Sequence, residues 1–77
     1  MSLEHYDKMF VSQDGNCAIC GKNQSEFKRA LNVDHDHETG KIRDLLCQNC
    51  NTAIGLLKEN LETINKASEY LKKHGRK

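Results

Sequence analysis

The chain has no proline and no tryptophan, and two tyrosines and two phenylalanines are its only aromatic residues. Hydrophobic residues make up 36% of it, and nowhere do they approach the run of ~18 that a membrane-spanning helix needs. The first residues also lack the basic, then apolar, then small-residue order of a secretion signal. These absences point to a protein with no membrane role, working in a reducing cytoplasm. Strong charge is missing too: the formal net charge is +1, so composition alone does not announce a nucleic-acid partner. Seventy-seven residues suffice for one domain, but a chain this short buries little apolar surface and usually needs disulfides or a structural metal.

Four cysteines are present, in two pairs of identical spacing: Cys17/Cys20 and Cys47/Cys50. Two Cys-x-x-Cys pairs supply four thiolates for a tetrahedral zinc ion, with Zn–S near ~2.3 Å. A redox role would require a βαβ pattern around one pair, which this chain lacks. Disulfides remain open only for an exported protein. Four sulfurs close the coordination sphere, so the ion is scaffold and any chemistry must lie elsewhere. The 26 residues between Cys20 and Cys47 exceed the ~15–20 of simple zinc ribbons. The surplus is enough for a functional hairpin.

The rest of the chain reads as an α+β arrangement around that clamp. Leu3, Tyr6 and Phe10, with Met9 beside them, give residues 3–13 one apolar helical face, ended by Asp14-Gly15. Residues 22–28 are polar and read as loop. Ala30–His35 and Lys41–Leu46 read as two strands joined by Glu38-Thr39-Gly40-Lys41. From Asn51 the period becomes helical: Ala53, Ile54, Leu57, Leu61, Ile64, Ala67 and Leu71 follow steps of three and four. Asn60 stands where an N-cap belongs, so two helices should meet near residues 58–60. Gly55 is expected to allow close packing on the hairpin, and residues 74–77 to fray. The last twenty residues carry six Lys/Arg against three acids, +3, while residues 1–57 carry −2. That basic end is either a polyanion-binding surface or a solvated helix end.

Between the cysteine pairs lies Asp34-His35-Asp36-His37, followed by Arg43, with Asn51 directly after Cys50. Carboxylate and amide oxygens suit Mg²⁺, which takes few protein ligands plus water and phosphate. An imidazole titrating near ~6.5 is suited to deprotonating water. Arg43 can pair a phosphate or a carboxylate, Asp36 or Asp44. In a regular strand Asp34 and His35 face opposite ways, so a shared site requires a bulge or bend there.

The ordered combination Cys17-x-x-Cys20, Val33-Asp34-His35-Asp36-His37-x-Thr39-Gly40-Lys41-Ile42-Arg43 and Leu45-Leu46-Cys47-x-x-Cys50-Asn51 resembles the phage recombination endonuclease VII group of HNH nucleases, over residues 6–74. The resemblance implies a small zinc-bound ββα-metal, treble-clef-like domain flanked by an N-terminal helix and C-terminal helices. Its expected boundaries are 1–16 for the first helix and turn, 17–57 for the clamp and core, and 58–77 for the last helix and basic tail. It implies hydrolysis of DNA phosphodiester bonds, with Asp34 and Asn51 holding Mg²⁺ or Mn²⁺ and His35 as general base. His37 would meet the scissile phosphate or assist its leaving group, Arg43 a neighbouring phosphate, and Asp36 would orient a histidine. The substrate would be DNA, double-stranded or branched, in a bacterial host cell, for a phage or prophage protein acting alone, as a dimer, or with packaging or recombination proteins. Two departures stand out. Asp44 occupies a position where the family commonly has a small residue, and Ile54 one where some members carry an acid. The rival readings are a non-catalytic zinc module that binds DNA or protein, and a subunit of a phage DNA-processing machine.

Overall fold

The computed structural model describes residues 2–76. In chain order they form α1 (Leu3–Ser12), a 3-10 turn (Gln24–Glu26), β1 (Asn32–His35), β2 (Ile42–Leu46), α2 (Gln48–Leu56) and α3 (Leu61–Lys73). This is the α+β pattern expected from the sequence, with one antiparallel two-stranded sheet.

Helix α1 starts at Ser2, whose hydroxyl accepts the His5 N–H at 3.1 Å, as a serine N-cap does. Tyr6, Met9 and Phe10 pack against the core, but Leu3 does not join them: it is 77% exposed. The helix ends in a Schellman cap, with Gly15 N–H on Phe10 O at 2.9 Å and Asp14 N–H on Val11 O at 3.0 Å. Both cap residues are left-handed, Asp14 at φ 53° and Gly15 at φ 70°. A Cβ on Gly15 would sit 2.8 Å from Phe10 Cζ, so this position requires glycine.

Leu31, Leu45 and Leu46, with Cys17 and Cys47, are the buried apolar centre, and Phe27, Val33, Cys50 and Ile54 close around it. Hydrogen bonds fasten α1 to this centre. Tyr6 donates its hydroxyl to Leu31 O at 2.8 Å. The Gln13 side chain then does for Leu45 what a neighbouring strand would: Oε1 accepts the Leu45 N–H at 2.9 Å and Nε2 donates to Leu45 O at 3.0 Å. Strand β1 is shorter than the 30–35 run suggests because Leu31 is already engaged, its N–H by Gln24 Oε1 and its carbonyl by Tyr6. The polar stretch expected as loop contains the 3-10 turn, held by a capping box between Asn23 and Glu26.

Cys47 is the N-cap of α2, its sulfur accepting the Cys50 N–H at 3.4 Å. Helix α2 ends in the same type of cap as α1, with Glu59 N–H on Ile54 O at 2.8 Å and Lys58 N–H on Gly55 O at 2.9 Å. Here, however, the two left-handed positions are Lys58 (φ 57°) and Glu59 (φ 52°), with no glycine to relieve them. Gly55 meets nothing within 4 Å and does not serve close packing. Asn60 caps α3 as expected, accepting the Thr63 N–H at 3.0 Å. Residues 74–76 continue into a further Schellman cap, Arg76 N–H on Leu71 O at 2.8 Å, instead of fraying; the expectation for Lys77 falls outside the described residues. Helix α3 stands off the core: Leu61 and Tyr70 are 76% and 64% exposed, and only Ile64 is half-buried.

Candidate functional site

The two cysteine pairs converge. Their four Sγ atoms all lie within 4.8 Å of one another, and those of Cys20 and Cys47 are 3.9 Å apart. A tetrahedron with Zn–S bonds of ~2.3 Å has sulfur–sulfur edges of ~3.8 Å, so the donor set fits a zinc-sized ion. At Cys17 burial pushes the thiol up, but backbone N–H groups of Cys47, Cys20 and Ile19, together with the Cys20 thiol, outweigh it and bring it down to about 6. Cys50 goes the other way: burial, then hydrogen bonding to the Cys47, Cys17 and Cys20 thiols, push it up to about 12. Four sulfurs this close cannot all ionise unaided. A cation among them removes the conflict. Cys17, Cys20, Cys47 and Cys50 are thus positioned to bind one metal ion.

The sheet is irregular at Asp34, but the extra residue lies on the opposite strand, and along β1 Asp34 is buried while His35 is exposed. Asn32 pairs with Leu46 and Val33 with Leu45, but His35 pairs with Ile42. Arg43 and Asp44 therefore both face Asp34, two residues against one. Asp34 is the one buried carboxylate among the described residues, 8% exposed. Arg43 Nε donates to its Oδ2 at 2.6 Å. This corrects the expected pairing of Arg43 with Asp36 or Asp44. Asp44 is exposed. Asp36 is a turn residue and makes no hydrogen bond to a histidine among the described residues: its Oδ1 accepts the Glu38 and Thr39 N–H groups at 2.8 and 3.1 Å. Those two amides, Thr39 first, hold its carboxyl below the usual range.

A residue absent from the sequence reading completes the arrangement. Glu59, carried on the left-handed corner after α2, accepts Arg43 Nη2 through Oε1 at 2.6 Å, and its Oε2 lies 3.5 Å from His37 Nε2. Hydrogen bonds from the guanidinium to Asp34 and Glu59 raise the already high pKa of Arg43, so it is a permanent cation. Beside Arg43 and Glu59 lies an open cleft of about 470 Å³ lined by Asp36, His37, Glu38, Arg43, Gly55, Lys58 and Glu59; Asp34 and His35 are not among its lining residues. Nothing in the sequence marks Glu59, because its place depends on two non-glycine residues adopting positive φ.

Of the five residues expected around a catalytic ion, Asp34, Arg43 and His37 fall in one network linked by Glu59. His35 stands beside it, exposed, its ring centroid 5.2 Å from that of His37. Asn51 is half-buried in the first turn of α2, with its N–H on Cys47 O at 3.0 Å. Among the described residues its side chain joins no hydrogen bond of the network, and it does not line the cleft. Ile54 belongs to the core.

The family model described as recombination endonuclease VII matches residues 1–73. The Gene 59 protein of Mycobacterium phage D29 is 40% identical over 74 residues, covering 95% of this chain and 44% of that protein. The Gene 59 protein of Mycobacterium phage L5 is 41% identical over 69 residues, covering 88% of this chain and 42% of that protein. The chain thus spans less than half the length of these curated relatives. No helix among the described residues is long and apolar enough to cross a membrane.

Proposed function

The chain belongs to the recombination endonuclease VII family, and from that premise we propose that residues 1–77 are one zinc-stabilised HNH-type nuclease domain that hydrolyses DNA phosphodiester bonds. The observation that carries the reading is the nearly buried Asp34 carboxylate, anchored on one oxygen by Arg43. Its other oxygen, Oδ1, has no hydrogen-bond partner among the described residues and is not sealed from solvent. A hard oxygen donor left without a partner next to Arg43, which itself lines the cleft, suits Mg²⁺ or Mn²⁺. Asp34 would hold the ion, and Asn51 would join it by reorienting from the first turn of α2.

His35, exposed at the end of β1, takes the proton from the attacking water; a neutral imidazole is the form that can do so near neutral pH. His37, at the cleft wall, donates to the phosphate or to the departing oxygen. Arg43 offers its remaining guanidinium hydrogens to a neighbouring phosphate. The divalent ion, when bound, supplies charge stabilisation at the phosphate and at the leaving oxygen. The zinc ion takes no part in the reaction beyond holding β2 and the start of α2 in place.

Nicking of supercoiled plasmid in Mg²⁺ or Mn²⁺ tests this reading. His35→Ala should lower the rate by roughly 10²–10⁴, the usual contribution of a general base, and Asp34→Ala should abolish the cleavage that Mg²⁺ or Mn²⁺ supports. Equal cleavage by wild type and His35→Ala removes His35 as the base. The separation of Asn51 from the network favours one alternative, a zinc module that binds DNA without cutting it. That module predicts salt-sensitive binding, no nicking under any divalent ion, and no effect of Asn51→Ala.

A further inference from the structure

An arginine facing a carboxylate frequently closes on it with two parallel N–H groups. Arg43 does not. Its Nε is on Asp34 Oδ2 at 2.6 Å, while Nη2, the adjacent prong, is drawn away to Glu59 Oε1 at 2.6 Å and lies 3.5 Å from His35 O. The division has a structural cause. Glu59 reaches the cleft because Lys58 and Glu59 both take left-handed backbone at φ 57° and 52°. That conformation is strained for non-glycine residues and persists where surrounding contacts demand it.

We propose that Glu59 is a positioning residue of the site: by holding one prong of Arg43 it keeps the guanidinium from closing on both oxygens of Asp34, and so leaves Oδ1 available to a divalent cation. The same carboxylate seats His37 at the cleft wall through its second oxygen, 3.5 Å from Nε2. The proposal rests on the nuclease reading above and adds a residue to it. Without Glu59, Nη2 is released beside the carboxylate that Nε already holds, and cation and guanidinium compete for the same oxygen.

The test is Mn²⁺ binding to the zinc-loaded protein without DNA, followed by electron paramagnetic resonance and calorimetry, with plasmid nicking as a parallel readout. Glu59→Ala should weaken Mn²⁺ binding by about tenfold, within the range seen when groups that orient a metal ligand are removed. The nicking midpoint in Mn²⁺ should shift equally, with little change in rate at saturating ion. Glu59→Gln, which keeps an oxygen acceptor for Nη2, should restore most of the affinity. Glu59→Gly serves as the variant whose fold is not in question, since it relieves the positive φ while removing the carboxylate. Because Glu59 acts through Arg43, Glu59→Gly in an Arg43→Ala background should leave Mn²⁺ affinity unchanged. If wild type binds Mn²⁺ and Glu59→Gly binds it equally, this proposal fails and the nuclease reading stands. If wild type binds no Mn²⁺ and cuts no DNA, the nuclease reading fails and takes the proposal with it.

Discussion

Removing the metal from the four cysteines should abolish the fold, and the size of the effect follows from how little else is buried. Three leucines, Leu31, Leu45 and Leu46, sink fully out of solvent beside Cys17 and Cys47. Burying a leucine side chain contributes about 1.5–3 kcal/mol, so the three together stabilise by about 5–9 kcal/mol. A zinc ion on cysteine ligands contributes about 10–16 kcal/mol at neutral pH. The ion therefore outweighs the leucine centre, and the loops that carry Cys17, Cys20, Cys47 and Cys50 have no substitute for it. Titration with a high-affinity chelator should eliminate the cooperative thermal transition and collapse the dispersion of amide resonances, and added zinc should restore both. Residual helical circular dichroism would not count against this, because α3 makes few contacts with the core; cooperativity is the measure. Cys47→Ser refines the test. Serine is a good N-cap, so this variant keeps the start of α2 capped and removes only a ligand, whereas Cys47→Ala removes both. Zinc competition should rank wild type above Cys47→Ser and Cys47→Ser above Cys47→Ala. A chelated protein that still melts sharply would refute the reasoning.

Gln13→Ala should destabilise by about 1–3 kcal/mol, because it strands the N–H of the fully buried Leu45; at ~4–8 °C per kcal/mol for a domain this size, Tm should fall by about 4 °C or more, and an unchanged Tm would mean that water replaces the amide. Lys58→Gly should raise Tm by about 2–8 °C, since glycine relieves a positive φ worth about 0.5–1 kcal/mol, and a lower Tm would show that the Lys58 side chain contributes more than its backbone costs. Asp36, whose folded pKa is depressed by the Thr39 and Glu38 amides, stabilises its turn fully above the ordinary carboxylate value of 3.8 and loses that contribution as pH falls through its lowered value. A carboxyl ¹³C titration placing Asp36 at or above 3.8 would contradict this.

What could be read from the residues was what spacing encodes. The cysteine pairs and the Asn60 cap are local statements, and each has its counterpart in the structure; the helical period read from Asn51 does too, though α2 already begins at Gln48. The bulge expected at the Asp34-His35 pair is instead on β2, at Arg43 and Asp44, and leaves Asp34 buried and His35 exposed, because the pattern of β1 says nothing about its partner strand. Leu3 and Leu61 lie on apolar stripes yet face solvent; periodicity defines a face but does not supply anything to cover it. Gln13 and Glu59 were invisible for a different reason. Each acts at long sequence separation, across 32 residues from Gln13 to Leu45 and 16 from Arg43 to Glu59, and polar side chains carry no period that would reveal such pairs. Asp36 illustrates the opposite error: a charged residue between two histidines looks chemical, but its nearest unsatisfied donors are the amides of its own turn.

The clasp of Gln13 on Leu45 also bears on solubility. A ribbon of two strands has two open borders, and the outer one of β2 displays backbone groups to which a second molecule could add a strand. Towards the end of that border, at Leu45, the glutamine amide fills both the donor and the acceptor place, and the Ala18 N–H shares the same carbonyl at 3.1 Å. Strand-by-strand growth along this side is blocked by a side chain that itself can extend no ladder. Loss of Gln13 would thus free a sticky seam as well as loosen a helix, and aggregation in partly unfolded preparations should start there.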